Sequence, residues 1–402
     1  MSDLSRAERD ACPLCRGVAT VGFLARPSVP VHQNLLYERR SAARSAVRGA
    51  LDMRVCTVCG FVFNASFDPG LLEYGSRYVN SQQLSPAFSE HVDELVRRLA
   101  TTPEVATGDI VEIGCGTGSF LALLLEQPGV SARAVGFDPS YVGPDGAFGG
   151  RLRFERDYYD ASNAVAADAA ICRHVIEHVA MPVELIRAIG STATRERPLR
   201  LFLETPCVEW ILRHGVAWDF FYEHCSLFSA ESLGVALRRG DFGNVRVDHV
   251  FGGQYLWSEA CTANAGTAAG TVDTAGGNNL VALVEAFGAR ADVARLRAHM
   301  AGLAGDGPTM VWGAGAKGST FCDLVDPAGS HVAAVVDLNP AKQGRYIAGT
   351  GHEIVSPQEA VRRGITTAVV LNPNYTTEVA ELLVALGSSA RVYDAMLERS
   401  CA

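Results

Sequence analysis

The stretch Ile110-Val111-Glu112-Ile113-Gly114-Cys115-Gly116-Thr117-Gly118-Ser119-Phe120 constrains this chain more than any other. A short apolar run ends in an acid, three glycines follow at alternate positions, and a helical run continues from Phe120 to Glu126. The pattern predicts strand, tight turn and helix. Glycine suits a turn whose backbone has positive φ or passes close to a ligand, and the helix aims its first amides at that turn. Dinucleotide enzymes have similar turns, so the glycines alone leave the ligand open. Two acids narrow the choice. Glu112 sits two residues before the first glycine. A second apolar run, Ala134 to Phe137, ends in Asp138-Pro139 about twenty residues later, where a carboxylate can take the two hydroxyls of a ribose.

Further strands are expected at Leu152-Arg153-Phe154, at Ala167 to His174 running into Val175-Ile176-Glu177-His178-Val179, and at Leu199 to Glu204. Strands alternating with helices specify a parallel sheet covered on both faces, with ligands at the carboxyl ends of its strands. The glycine turn, Asp138 and Arg173-His174 all fall at such ends. Pro86 to Leu99 has the spacing of an amphipathic helix that packs on this sheet. The segment Trp218 to Ser229 follows the last of these strands and carries Tyr222-Glu223-His224 among aromatic residues. Loops at that rim carry function. A histidine there can act as a base tuned by desolvation and a carboxylate, or the segment can be an aromatic lid packed on the sheet. Val245 to Val247 and Gly252 to Ser258 read as closing antiparallel strands.

Composition changes at Ala263 to Asn279, a linker rich in Ala, Gly and Thr. A helix over Leu280 to Leu303 leads into a second α/β unit. Its turn, Gly313-x-Gly315-x-x-Gly318 with Asp337 beyond, has dinucleotide spacing; a scaffold without a dinucleotide fits equally, with Lys317 placed to meet a phosphate. Ahead of all this stand Cys12-Pro13-Leu14-Cys15 and Cys56-Thr57-Val58-Cys59, two Cys-x-x-Cys knuckles separated by 40 residues. Two such knuckles close a four-cysteine zinc site; a redox pair and an iron–sulfur cluster are the alternatives. Eleven cysteines in a chain whose first ten residues are charged and polar point to thiols and metal ligands in the cytoplasm, not to disulfides. The net charge of -9 argues against a nucleic-acid partner, and no segment has the length and purity of a membrane span.

The acid-bounded glycine turn with Asp138 resembles the S-adenosylmethionine (SAM) site of class I methyltransferases. The order of parts, two knuckles, this turn, Glu177-His178, Tyr222-Glu223-His224 and the Gly-x-Gly-x-Lys-Gly half, resembles the zinc-containing sugar C-methyltransferases of antibiotic deoxysugar pathways over nearly the full chain. The resemblance implies an α/β protein with a zinc-binding domain over 1–70, a SAM-dependent methyltransferase domain over 71–262 and a Rossmann-like domain over 280–402. It implies structural zinc on Cys12, Cys15, Cys56 and Cys59. It implies SAM at Glu112, Gly114, Gly116, Gly118, Asp138 and Pro139, with Arg173 and His174 beside it and Tyr78 near the sulfonium. The implied substrate is a nucleotide-linked 4-keto-deoxysugar methylated next to its ketone. His224 is the implied base, with Tyr222, Glu223 and His178 around the sugar and no catalytic metal. The family often carries Ser-Asn-Asp-Gly in its turn and Gly-Gly-Ser-Leu-Arg later. This chain has Cys115-Gly116-Thr117-Gly118 and Gly252-Gly253-Gln254-Tyr255-Leu256 there. Methylation of oxygen or nitrogen in another natural product is the second reading, and a zinc-containing binding scaffold the third.

Overall fold

The computed structural model describes residues 11–72, 85–262 and 275–396. Tyr78, the first ten residues and most of the Ala/Gly/Thr-rich stretch lie outside the described residues.

Among the described residues the first sheet begins as an antiparallel meander, β1 (Thr20–Pro30), β2 (Arg48–Cys56) and β3 (Val62–Asn64). Pairing of Thr20 with Cys56 at one end of β1–β2 sets the second knuckle beside the chain leaving the first. Each knuckle is a tight backbone turn: Cys12 N–H donates to Gly17 O and Cys56 N–H to Phe61 O, both at 2.8 Å.

The second sheet contains β4 (Asp109–Ile113), β5 (Arg133–Phe137), β6 (Gly146–Ala147), β7 (Leu152–Glu155), β8 (Ala169–Arg173) and β9 (Arg200–Pro206). Chain order then brings β10 (Ser226–Leu227), β11 (Gly243–Val250) and β12 (Tyr255–Cys261). The spatial order is β11-β12-β9-β8-β4-β5-β7-β6, parallel from β9 to β7 and antiparallel at both edges. Runs such as Ile110-Val111 and Ala169 to Cys172 are buried, as expected of parallel strands covered on both faces. The helix Pro86–Ala100 is among those covers. Pro86 opens it, the Ser85 hydroxyl caps Phe88 N–H at 3.3 Å, and Phe88, Val92, Leu95, Val96 and Leu99 form its buried stripe. β10 belongs elsewhere: it pairs antiparallel with β3, so the first sheet is completed by a strand that follows β9 in sequence.

The third sheet, β13 (Thr309–Trp312), β14 (Ala334–Val336), β15 (Ile354–Val355), β16 (Thr367–Val370) and β17 (Arg391–Asp394), is parallel throughout in the order β15-β14-β13-β16-β17. The single helix expected over Leu280 to Leu303 is two, Ala275–Arg290 and Val293–Gly305. Asp292 breaks it: its carboxylate accepts from Arg295 N–H at 2.9 Å and caps a new helix.

One loop of the third sheet hangs on a single carboxylate. Asp326 is buried and accepts from Ser330, His331 and Val332 N–H at 2.7, 2.9 and 2.8 Å, and contacts His352 Nε2 at 3.1 Å. The Asp326→Ala variant strands those donors and is expected to lose about 3 kcal/mol of stability, since each unpaired buried donor costs about 1–3 kcal/mol. Urea denaturation measures this; a loss well under about 1 kcal/mol would show that the loop holds by packing.

Candidate active site

The sequence-predicted glycine turn lies at the carboxyl end of β4. Gly114, Gly116 and Gly118 have φ of 72°, 56° and 74°. A Cβ on Gly114 would stand 2.1 Å from Val175 Cγ2, and one on Gly118 would stand 2.3 Å from the Phe154 ring. Both positions therefore exclude a side chain twice, by backbone and by space. Gly116 faces open space instead, which is the room a ligand needs to approach backbone. Its N–H donates to Asp138 Oδ2 at 2.9 Å, and Asp138 Oδ1 accepts from Ser140 N–H and Oγ at 2.7 and 2.6 Å. Asp138 at the end of β5 is thus locked to the turn, with Pro139 half-buried behind it. Glu112 lies under the turn, buried, with no hydrogen-bond partner on Oε2. Burial pushes its carboxyl up to about 8, against the pull of Arg173. An open glycine rim and an orphaned acceptor below it fit a cofactor that brings a cation and a ribose to this turn, as SAM does.

Beside that turn a charged network fills the ends of β8 and β9. Glu204 is fully buried and accepts from Arg173 Nε at 2.8 Å; His91 Nε2 lies 2.5 Å from its other oxygen. Despite burial, Arg173 and His174 hold its carboxyl well below the usual range. Arg173 also stacks its guanidinium 4.2 Å above the Phe120 ring. His174 has φ of 55°, uncommon for a residue with a side chain, and sits 3.5 Å from Glu177 and 3.4 Å from Glu204. Burial opposes its charge, but those two carboxylates raise its pKa to about 9.

A cleft opens between the second and third sheets. On one wall stand His174, Glu177, His178, Phe221, His224 and Tyr255; on the other, the turn Gly313 to Gly318 with Asp337, Lys342 and Asn372. Lys317 crosses it to Asp219 at 2.7 Å, and Gln254 donates across it to Asn372 at 2.7 Å. The His178 and His224 rings meet edge to face, centroids 4.8 Å apart. Burial lowers both pKa values, and His178, His174 and Lys317 drive that of His224 well below the ordinary histidine range. At neutral pH His224 is therefore a neutral imidazole with a lone pair to give. Burial keeps the Tyr255 phenol protonated, well above its ordinary pKa.

Two expected site residues point elsewhere. Tyr222 is fully buried, packs on Phe67, accepts from Asp68 N–H at 2.8 Å and contacts Asp68 O at 3.1 Å. Its hydroxyl is committed to backbone and does not line the cleft. The Glu223 side chain is likewise buried and accepts from Gln33 N–H at 2.8 Å; its backbone is a partner for the His178 ring. Sequence reading places Glu204 on a strand and His91 on a helix but misses both as site residues. Glu204 pairs with Arg173 in strand register, so comparison of charged residues at adjacent strand ends is the signal that finds it.

The four knuckle cysteines converge. Cys12 Sγ lies 3.7 Å from Cys59 Sγ and Cys15 Sγ 3.5 Å from Cys56 Sγ, and all four sulfurs lie within 4.8 Å of one another. A tetrahedral zinc with bonds of about 2.3 Å sets sulfurs about 3.8 Å apart, so this donor set fits the ion. Among the described residues no helix is long and apolar enough to cross a membrane.

The family model described as a methyltransferase domain matches residues 86–247, and the one described as a C-methyltransferase C-terminal domain matches residues 273–389. The chain is 23% identical over 392 residues to the C-methyltransferase NovU of Streptomyces niveus, covering 92% of this chain and 91% of that protein. Among solved structures, the 1,6-didemethyltoxoflavin N1-methyltransferase of Burkholderia thailandensis matches 44% of this chain and 78% of its own at 17% identity and a TM-score of 0.33. The magnesium protoporphyrin IX methyltransferase of Synechocystis PCC 6803 matches 47% and 90% at 19% identity and a TM-score of 0.35.

Proposed function

This chain is a SAM-dependent methyltransferase of the C-methyltransferase family, and from that premise we propose that it methylates a carbon next to the ketone of a nucleotide-linked 4-keto-deoxysugar, in the cytoplasm. The observation that carries the reading is the neutral His224 in a cleft faced by a second glycine turn with Lys317. SAM, bound at Glu112, the three glycines and Asp138, supplies an electrophilic methyl group. The rest falls to side chains of this chain.

A proton next to a ketone leaves only when a base takes it and the enolate oxygen is stabilised. His224 accepts that proton. The hydrogen bond from the His178 ring to the Glu223 backbone fixes its orientation against His224. With Tyr222 committed to Asp68, the protonated Tyr255 phenol and the Lys317 ammonium are the donors for the enolate oxygen. The turn Gly313 to Gly318 receives the nucleotide end, and zinc on the four cysteines is structural.

The test is isotope exchange. In D2O, with S-adenosylhomocysteine in place of SAM, a 4-keto sugar nucleotide should take up deuterium next to its ketone, and not with the His224→Ala variant. Product methylated at oxygen or nitrogen, with no exchange, would replace carbon methylation by heteroatom methylation.

A further inference from the structure

We propose that Asp219 and Gln254 are specificity-determining residues that accept hydrogen bonds from two neutral ring hydroxyls, so that the acceptor is a 6-deoxy-4-ketohexose and not its 2-deoxy, 3-deoxy or amino counterpart. The inference rests on the reading of a nucleotide-linked keto sugar above and names the sugar more closely. Both residues line the cleft, and both are more than nine-tenths buried. Each carries one buried oxygen that makes no hydrogen bond, Oδ1 of Asp219 and Oε1 of Gln254. A buried acceptor left unpaired costs free energy that a donor on a ligand recovers.

The other end of each side chain is fixed. Lys317 Nζ lies 2.7 Å from Asp219 Oδ2, and Gln254 Nε2 donates to Asn372 Oδ1 at 2.7 Å. The orientation of the Gln254 amide follows from its neighbour. Asn372 Oδ1 also accepts from the Asn374 backbone N–H at 3.0 Å, so that atom is the oxygen, and only the NH2 of Gln254 can face it. The Gln254 oxygen is therefore the atom left without a partner.

A carboxylate oxygen and an amide oxygen only accept, so the ligand must donate to both. Lys317 balances the charge of Asp219. A ring ammonium would meet no net negative charge there and would still lose its hydration, whereas a neutral hydroxyl loses far less. Two acceptors ask for two hydroxyls. A 6-deoxyhexose with its nucleotide on C-1 and its ketone at C-4 keeps hydroxyls at C-2 and C-3 only, so both must be present. A site that takes a hydroxyl rejects the analogue lacking it, because its own oxygen then stays unpaired.

In the test, full-length enzyme with S-adenosylhomocysteine is titrated calorimetrically with 6-deoxy-4-ketohexose and with its 2-deoxy, 3-deoxy and 3-amino-3-deoxy counterparts. Each sugar is linked to thymidine, uridine and guanosine diphosphate in turn, and methyl transfer from SAM is then followed. Every counterpart should bind at least about tenfold more weakly than the hydroxylated sugar. In Asp219→Ala one of the two deoxy penalties should fall to within about twofold of none, and in Gln254→Leu the other, with SAM affinity reporting that each variant is folded. Equal affinity for hydroxylated and deoxy sugars, tighter binding of the amino sugar, or penalties unchanged in both variants would overturn the inference. The comparison of sugars needs the parent enzyme alone, so it decides even where a variant does not fold. Discrimination with methyl transfer to oxygen would keep the inference and reject carbon methylation, and carbon methylation without discrimination would do the reverse. Affinity for none of these sugars would remove both.

Discussion

The His224→Ala variant is expected to lose turnover by about 10²–10⁴-fold, the usual contribution of a positioned base, while SAM affinity stays close to that of the parent. The asymmetry follows from geometry. His224 lines the cleft between the sheets, whereas the glycine turn is built on β4, Val175 and Phe154. The pH profile gives the same residue a second signature. Because the folded-state pKa of His224 is depressed below the ordinary value of 6.5, the free base persists as pH falls through that value. The acid limb of kcat/KM is therefore expected below pH 6.5, not at it, and it should disappear in the residual activity of the variant. Full turnover in His224→Ala would take the residue out of the mechanism. Turnover and SAM binding lost in equal measure would make it a structural residue.

That His224 lines the cleft is legible in the sequence and that Tyr222 does not is hidden from it, a difference of local geometry. Sequence adjacency suggested that Tyr222, Glu223 and His224 share one rim. The segment is an irregular turn, with His224 N–H on Phe221 O at 3.2 Å, and consecutive side chains of such a turn diverge. Tyr222 goes inward over Gly49, where a Cβ would stand 2.3 Å from its ring. Nothing in the sequence around Gly49 announces that contact. By contrast the glycine turn was readable because its spacing leaves no second conformation: two of its three glycines sit where neither the dihedral nor the space admits a side chain. The parallel sheet was readable for the same kind of reason, since its buried strands are apolar runs bounded by helical ones. The long hairpin β1–β2 was not. Its strand Thr20 to Pro30 is half exposed and interrupted by register shifts, which blurs the alternation that marks a strand. Contacts across the cleft, such as Lys317 to Asp219 over 98 residues, arise from packing of two sheets and have no local signature at all.

Removing zinc is expected to abolish turnover while leaving SAM binding intact, an effect that reaches further than the first sheet. Structural zinc contributes about 10–16 kcal/mol in small zinc-dependent modules, more than the stability of most domains, so the hairpin carrying the knuckles should lose its fold when the ion is stripped. That hairpin is not isolated. β3 pairs with β10 just past His224. Arg26 on β1 donates to Phe220 O and Ala217 O at 3.0 and 2.8 Å, and Tyr222 is fastened to Asp68 beyond β3. These bonds grip the segment that carries Phe221 and His224 from both sides. Melting the first sheet releases that segment and with it the proposed base, whereas the glycine turn rests on the second sheet and keeps its ligand. Chelation, or the Cys56→Ser variant, should therefore expose residues 11–72 to hydrogen exchange and stop turnover, with calorimetric SAM affinity within a few-fold of the parent. A metal-free protein that still turns over at the parental rate would sever the four-cysteine cluster from the active site.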